Sequence, residues 1–191
     1  PRVGRMLGSA VERAEDLGTS HAWTLHRLTL ADGRTVFVKA ADGLSGVLAA
    51  EAAGLRWLRA PHGGDSPVPP VLAADEGLLV LPWLESEPPA PEAAERLGRD
   101  LAALHTSGAP AYGADRPGFI ADLPLDNTPG ESWPEWYAER RILPFLRPAA
   151  TGLGPAGVRL VEQVVARIGE LAGPAEPPSR IHGDLWSGNI L

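Results

Sequence analysis

Residues 180–191 read RIHGDLWSGNIL, and this short segment gives the strongest indication of how the chain folds. It places His182, Gly183 and Asp184 in succession, and Asn189 follows the aspartate after four intervening residues. The composition predicts a strand over 179–184, so the polar side chains would lie on the loop that follows it. By itself the segment is a weak signal, because a turn with hydrogen-bonded Asp and Asn side chains would have the same residues.

The separation of Asp184 and Asn189 is typical of a loop that carries out phosphoryl transfer. Such a reaction needs a carboxylate that orients the attacking hydroxyl, oxygen ligands for Mg²⁺ and a cation beside the phosphates. In protein kinases, four residues separate the catalytic aspartate from a metal-binding asparagine. Here Gly183 replaces the arginine of the commoner His-Arg-Asp form. The interpretation also requires a lysine on a strand and a glutamate on a helix.

The chain contains one lysine among its 17 basic residues, and all the others are arginines. This residue, Lys39, lies in the segment RTVFVKA (34–40), whose β-branched and aromatic residues predict a strand. An ammonium is a compact point charge on a thin stem, and it fits sites that a planar guanidinium does not. Two explanations stay open: a site that requires lysine, or chance in an arginine-rich chain.

Residues 44–60, LSGVLAAEAAGLRWLRA, predict an amphipathic helix with Glu51 towards its inward face. The apolar stripe of this helix has one gap, which Glu51 fills, and its members are Leu44, Leu48, Leu55 and Leu58. A buried carboxylate is costly unless it is paired, and Lys39 is the nearest cation able to point inward. Two placements stay open for Glu51: it forms an ion pair with Lys39, or it lies at the solvent-exposed edge of the apolar stripe.

The first part of the chain is predicted to contain five β-strands around this helix. The predicted strands are residues 10–18, 21–30, 34–40, 71–75 and 77–85. Gly18, Thr19 and Ser20 are predicted to separate the first two strands, and Asp32-Gly33 is a turn signal before the third. The Pro-rich, acidic segment SEPPAPE (86–92) then has the composition of a hinge.

After this hinge, the period of the apolar residues changes to that of helices. The predicted helices are residues 92–105, 132–146 and 154–173, and a long loop covers 108–130. Ser132 and Glu135 have the spacing of a capping box, with Pro134 in the first turn.

The order of these parts predicts an α+β, two-lobed protein-kinase-like fold. Residues 1–84 would form an N-terminal ATP-binding lobe, built from a five-stranded antiparallel sheet with one main helix. Residues 85–90 would be the linker, and residues 91–191 an incomplete, mostly helical C-terminal lobe with the catalytic loop. A strand lysine, a helix glutamate, a hinge and the Asp-Asn loop occur in the order that this fold requires.

Several segments resemble the fructosamine kinase family, whose relatives include the aminoglycoside phosphotransferases. HGDLWSGN (182–189) is similar to the family's catalytic-loop signature, and Leu185-Trp186-Ser187 points to this branch of the larger group. The other similar segments are VFVKA (36–40), EAAGLRWL (51–58), LGRDLAALH (97–105) and residues 112–146. The resemblance spans nearly the whole chain.

The resemblance implies a role for each candidate site residue. Lys39 would contact the ATP phosphates and be held by Glu51. Asp184 would be the base that faces the substrate hydroxyl, and Asn189 would bind Mg²⁺. The chain has no G-x-G-x-x-G loop, so Gly18-Thr19-Ser20 would serve as a shorter phosphate-contacting substitute.

The adenine edge would lie on the hinge segment LPWL, which includes Trp83. The Pro82 carbonyl would accept from the adenine amino group, and the Leu84 N–H would donate to the ring. Proline is tolerated at that position because it keeps its carbonyl. Trp186 and the tryptophans of SWPEWY (132–137) either form a wall near the sugar or pack helices. We expect His182 to brace the loop by hydrogen bonding.

The resemblance implies an ATP-dependent kinase that phosphorylates a sugar hydroxyl of a ketosamine, the adduct formed when a sugar glycates an amine. Its cofactors would be ATP and Mg²⁺, and its outcome would be repair, because a 3-phosphate makes the adduct unstable. The alternatives are an aminoglycoside- or choline-type phosphotransferase and a non-catalytic nucleotide-binding pseudokinase. Family members continue beyond this point with a metal-binding aspartate and further helices, which predicts exposed apolar surface where those helices would pack.

The amino-acid composition of the chain argues against several kinds of binding partner. The net charge is −7 and no basic run occurs, which argues against binding to nucleic acid or to an anionic membrane. The absence of cysteine excludes disulfides, the apolar stretches are too short to span a bilayer, and the N-terminal residues do not resemble a signal peptide. A cytoplasmic location is therefore predicted, and the oligomeric state and the identity of the ketosamine stay open.

Overall fold

A computed structural model of the chain describes residues 2–20, 22–41, 43, 46–86, 88 and 90–190. The chain forms two compact units: Pro1–Ser107 together with Arg180–Leu191 make up the first, and Gly108–Ser179 the second. The first unit therefore contains Lys39, Glu51 and the loop that carries Asp184.

A five-stranded antiparallel sheet forms the centre of the first unit, which confirms the predicted α+β class. Its strands lie in the order β1-β2-β3-β5-β4. Their bounds are β1 (Val11–Ser20), β2 (Trp23–Leu30), β3 (Thr35–Ala41), β4 (Ala73–Ala74) and β5 (Leu78–Pro82).

Helices cover both faces of this sheet, because its central strands carry apolar residues on both sides. On one face, Val3 of helix α1 (Arg2–Leu7) packs against a cluster from the strands. The strand residues of that cluster are Leu28, Leu30, Val36, Val38, Leu78 and Val80. On the other face, helix α2 (Val47–Arg59) packs Leu48 and Ala52 against Ala41 and Leu79. Helix α1 was not predicted from the sequence.

The predicted separation of the first two strands by Gly18, Thr19 and Ser20 is wrong. All three residues belong to β1 and pair with Leu25, Thr24 and Trp23 of β2. A bulge lies between Asp16 and Gly18, where Gly18 has a φ of 94° and its N–H donates to Asp16 Oδ1 at 2.8 Å. The strand continues past the glycine because a bulge accommodates its positive φ without ending the pairing.

Two other boundaries in the first unit differ from their predictions. Strand β5 ends at Pro82 rather than at residue 85, since proline has no N–H to donate to a neighbouring strand. Helix α2 begins at Val47, directly after Gly46, whose φ is 86°, and Leu44 lies outside the described residues. Helix α3 (Pro91–Thr106) matches its prediction closely, and it buries Leu104 against Leu58 and Val68.

The predicted strand over 179–184 is wrong. None of the described residues pairs with this segment as a strand, and the next regular structure along the chain is a short 3₁₀ turn at Ser187–Asn189. A strand exists only where a neighbour satisfies its backbone groups, and local composition does not report a missing neighbour.

The second unit consists of a hairpin followed by a long helical region. The hairpin strands are β6 (Gly118–Ile120) and β7 (Leu123–Leu125). The helices are α4 (Trp133–Tyr137), α5 (Leu143–Ala166) and α6 (Ile168–Leu171), with a π-helical turn at Ala138–Ile142. A kink at Gly154, whose φ is 66° and ψ 171°, divides α5 into two helical parts. Ser132 precedes α4 as predicted, with Pro134 in the first turn, but its side chain makes no capping hydrogen bond, so the capping box is not formed.

Asn127 ties the long loop of the second unit to its helices. Its Nδ2 donates to the Arg116 carbonyl at 3.1 Å, and its Oδ1 accepts from Arg141. The Arg141 guanidinium lies 4.2 Å from the Trp136 ring centroid, and Trp136 Nε1 donates to the Thr128 carbonyl at 2.8 Å. These contacts explain how a loop rich in turn residues keeps a defined conformation.

Asp126, beside this network, gives the second unit a predicted response to acid. Hydrogen bonds from Thr128, followed by Arg140, lower the pKa of Asp126 from 3.8 to about 2. Because the folded-state pKa lies below the ordinary value, the stabilisation is complete above about pH 4 and is lost as the pH falls through about 2. We expect Asp126→Asn to lose less stability than the parent protein over that range, measured as the midpoint of urea unfolding.

Asp122→Asn, which removes an exposed carboxylate of the hairpin, is the matched control for the loss of one charge. The same dependence of the unfolding midpoint on pH in the parent protein and in Asp126→Asn would contradict the prediction.

Large apolar side chains are exposed in both units. In the second unit, Leu160 and Leu171 are 61% and 56% exposed. In the first unit, Ile181 and Trp186 are both 60% exposed.

Candidate active site

Lys39 and Glu51 form an ion pair, which resolves the two placements that the sequence left open for Glu51. Lys39 lies on β3 between Leu25 of β2 and Leu79 of β5. Its Nζ donates to Glu51 Oε2 at 2.7 Å, and the two side chains are 17% and 35% exposed. The pair is therefore half-buried, where an ion pair is screened less than it would be in bulk water.

The packing of α2 brings Glu51 to this position. Leu48 and Ala52 are fully buried against the sheet, and Glu51 lies next to Ala52 on the helix. Residues three and four apart share a helix face, so the turn that buries Leu48 also directs Glu51 towards the sheet.

Trp23 lies beside Lys39, a contact that was not predicted from the sequence. Its ring centroid lies 4.8 Å from Lys39 Nζ, and the residue is 9% exposed. The register between β2 and β3 explains the contact. Leu25 pairs with Lys39, and Trp23 lies two residues before Leu25 on the same face of the sheet. Predicting the contact between Trp23 and Lys39 would have required the register of the two strands, which the composition does not give.

Asp184 and Asn189 meet on the loop at the end of the described chain. Asn189 Nδ2 donates to the Asp184 carbonyl at 2.8 Å and to Asp184 Oδ2 at 3.1 Å. Both residues are exposed. Because the amide nitrogen faces Asp184, the Asn189 Oδ1 is directed away from that carboxylate.

His182 braces this loop, as expected. The Asp184 N–H donates to His182 Nδ1 at 3.3 Å, which places the ring proton of a neutral His182 on Nε2. Gly183 between them has a φ of 83°, which a residue with a side chain rarely adopts. The glycine at this position therefore allows the turn that brings His182 and Asp184 together.

The segment at the end of β5 is held to the sheet by its tryptophan. The Trp83 N–H donates to the Thr35 carbonyl at 3.1 Å, and its Nε1 donates to Glu85 Oε1 at 2.9 Å. The Arg27 guanidinium lies 4.5 Å from the Trp83 ring centroid. The Leu84 N–H makes no hydrogen bond within the part of the chain that the structure describes, so it is available to an acceptor.

Arg180 joins the Asp184 loop to the helix that carries Glu51. Its guanidinium lies 4.4 Å from the Trp57 ring centroid and donates to the Trp57 carbonyl at the end of α2. Over residues 2–20, 22–41, 43, 46–86, 88 and 90–190, no hydrogen bond or ion pair directly connects Lys39 or Glu51 to Asp184 or Asn189. The two pairs share one compact unit, and Arg180 and Trp57 provide a contact between their elements.

The described side chains provide only some of the ligands that a Mg²⁺ ion needs. Among the described residues, no group of three or more His, Cys, Asp or Glu side chains is arranged to hold a metal ion. The Asp184 carboxylate and the Asn189 amide nevertheless offer two oxygen-bearing side chains, and Mg²⁺ is commonly bound by one or two protein oxygens together with substrate phosphates and water.

The tryptophans considered for a sugar wall have different surroundings. Trp133 stacks on Tyr137 with ring centroids 4.9 Å apart, and Trp136 packs within the second unit as described above. Trp186 lies in the first unit and is largely exposed. No described helix is both long enough and apolar enough to cross a membrane.

Comparisons with known proteins agree with the fold and indicate the family. A family model described as fructosamine kinase matches residues 6–191. The chain is 40% identical over 161 residues to "Probable ketoamine kinase TTHA1179" of Thermus thermophilus, covering 83% of this chain and 56% of that protein. It is 33% identical over 100 residues to "Protein-ribulosamine 3-kinase, chloroplastic" of Arabidopsis thaliana, covering 49% of this chain and 30% of that protein.

A crystal structure of a "putative fructosamine-3-kinase" from Thermobifida fusca superposes with a TM-score of 0.92 at 49% identity. The match covers the whole of this chain and 67% of that one. A second structure, from Haemophilus somnus, has a TM-score of 0.82 at 23% identity and supports the fold alone. The chain spans about half the length of the curated relatives that it matches.

Proposed function

Because the chain belongs to the fructosamine kinase family, we propose that the whole protein transfers the γ-phosphoryl group of ATP to a sugar hydroxyl of a ketosamine. The observation that carries this proposal is the Lys39–Glu51 ion pair in the same compact unit as Asp184 and Asn189. These are the residue types that phosphoryl transfer requires, namely a cation, a base and an oxygen ligand. The product would be a phosphorylated adduct that releases its amine.

Asp184 would orient the acceptor hydroxyl and take its proton as the oxygen attacks the γ-phosphorus. The bond between that phosphorus and the β,γ-bridging oxygen then breaks, and ADP leaves. The exposed position of Asp184 is compatible with direct access to a small substrate. Lys39 would offset the charge of the ATP phosphates while Glu51 holds its ammonium in place.

Asn189 would hold Mg²⁺ through Oδ1, because its Nδ2 already donates to Asp184. The metal would supply charge neutralisation at the phosphates. Hard cations prefer oxygen ligands, and the remaining ligands of Mg²⁺ would come from the ATP phosphates and from water.

The adenine ring would lie along Pro82, Trp83 and Leu84. The Leu84 N–H is available as a donor. The Pro82 carbonyl would be the acceptor, and together they form the pair that the adenine edge needs. Gly18, Thr19 and Ser20 would contact phosphate from the end of β1 rather than from a separate loop.

We also propose a cytoplasmic location, where ATP is supplied, and the lobe division given by residues 1–84, 85–90 and 91–191. Nucleic acid and membrane are not proposed as partners, because the chain carries a net charge of −7 and no basic run.

A substrate panel tests the proposed reaction. The full-length protein, supplied with Mg-ATP, is expected to release ADP with ribulosamine or fructosamine at a rate at least about tenfold above that with no acceptor. Kanamycin and choline serve as acceptors for the alternative phosphotransferases. ADP release with either of these but not with a ketosamine would replace the proposed substrate class, and binding of ATP without turnover on any acceptor would favour a pseudokinase.

A further inference from the structure

We propose that Trp23 is a positioning residue that holds the Lys39 ammonium through the face of its ring. The inference rests on the proposed role of Lys39 towards the ATP phosphates. Nζ lies 4.8 Å from the ring centroid, within the distance of about 6 Å at which a cation is attracted to an aromatic face. Trp23 is 9% exposed, and the Lys39 side chain 17%, so water screens the attraction only partly.

The ring is fixed in place by the sheet. Trp23 begins β2 and pairs with Ala41 of β3, while Leu25, two residues later, pairs with Lys39. The ring and the ammonium therefore arise from neighbouring positions on one face of two paired strands. Glu51 reaches the same ammonium from helix α2. Lys39 is thus held by two groups on two different elements, which restricts a stem that is otherwise flexible.

The chemistry of the ring suits a lysine that must also bind an anion. An ammonium has three N–H donors, and among the described residues the Glu51 carboxylate is the acceptor of one of them. An aromatic face attracts the cation without adding a negative charge. A second carboxylate in the place of Trp23 would also attract the Lys39 ammonium, but it would repel the phosphates. The tryptophan therefore orders the ammonium and leaves its remaining donors to a phosphate.

Lys39 is the only lysine within residues 1–191, so its acetylation can be read from one identified peptide of the full-length protein. The full-length protein is treated with a limiting pulse of acetic anhydride, and acetylation of Lys39 is quantified by peptide mass spectrometry, with the N-terminal amine as internal reference. Trp23→Leu is expected to raise the Lys39 acetylation rate by about three- to tenfold, because the amine is no longer held against a ring face and is freer to meet the reagent. Trp23→Phe keeps an aromatic face and should stay within about twofold of the parent rate. Both variants are first checked for the parent circular dichroism spectrum.

The outcomes separate the possible roles of Trp23. Equal acceleration in the Leu and Phe variants would assign the effect to packing and overturn the proposal, as would a parent-like rate in Trp23→Leu. A second arm repeats the labelling of the parent protein with Mg-ATP present. Failure of Mg-ATP to protect Lys39 would count against the proposed function, and the comparison of Trp23 variants would still stand.

Discussion

Asp184→Asn is expected to reduce turnover by about 10²- to 10⁴-fold, the range that a positioned general base contributes. The asparagine has nearly the same shape, and its carbonyl oxygen can still accept from Asn189 Nδ2, as Asp184 Oδ2 does at 3.1 Å. It cannot take the proton of the acceptor hydroxyl. The chemical step should therefore be lost while the loop keeps its conformation. The measurements are single-turnover phosphorylation of a ketosamine and calorimetric binding of Mg-ATP to the full-length protein.

The binding measurement distinguishes a lost base from a disordered loop. We expect the affinity for Mg-ATP to change by less than about threefold, which corresponds to well under the 1.4 kcal/mol of a tenfold effect. Glu95→Gln, at an exposed position on α3, is the matched control for conversion of a carboxylate to an amide. Turnover near the parent rate in Asp184→Asn would remove Asp184 from the proposed role.

The sheet could be predicted because its signals are local. Segments such as RTVFVKA contain enough β-branched and aromatic residues to specify a strand by themselves. The Lys39–Glu51 pair was only half predictable. The spacing of the apolar residues in α2 placed Glu51 near the sheet. Whether Glu51 forms an ion pair or lies at the solvent-exposed edge of the stripe depended on how deeply Leu48 and Ala52 are buried.

The errors arose where local composition and tertiary context disagree. Residues 179–184 have the composition of a strand, but no described residue pairs with them. Gly18 looks like a strand end, and a bulge absorbs it instead. Trp23 was missed because its contact with Lys39 follows from the register between two strands, which composition does not specify.

The contact between Arg180 and Trp57 could not be predicted from the sequence either, since the two residues are 123 positions apart in the chain. Trp57 packs beside the cluster of Leu58, Val68 and Leu104, and Arg180 closes over its ring. The end of α2 is thereby attached to the chain just before His182. This arrangement explains physically why two distant parts of the sequence belong to one compact unit.

Lys39→Arg is expected to lower kcat/KM by about 10²-fold or more, the cost typical of losing one preorganised donor to a charged group in the transition state. The substitution keeps the positive charge, so a loss of activity would be due to the different shape of the guanidinium. Lys39 pairs with Leu25 and Leu79 on the neighbouring strands, and its Nζ lies 2.7 Å from Glu51 Oε2. A planar guanidinium is wider and presents its donors as a rigid fork, which cannot meet both Glu51 and the phosphates from the same stem.

The interpretation requires that the variant be folded, so its thermal unfolding is measured beside its activity with ATP and a ketosamine. Arg99→Lys, at a position that is 69% exposed on α3, is the matched control for exchanging the two basic residues. We expect it to retain parent activity, because an exposed i,i+4 pair contributes little. Near-normal turnover in Lys39→Arg would mean that the site needs only a positive charge. The solitary lysine would then reflect an arginine-rich composition, and both its pairing with Glu51 and the ring of Trp23 would be features of packing rather than of catalysis.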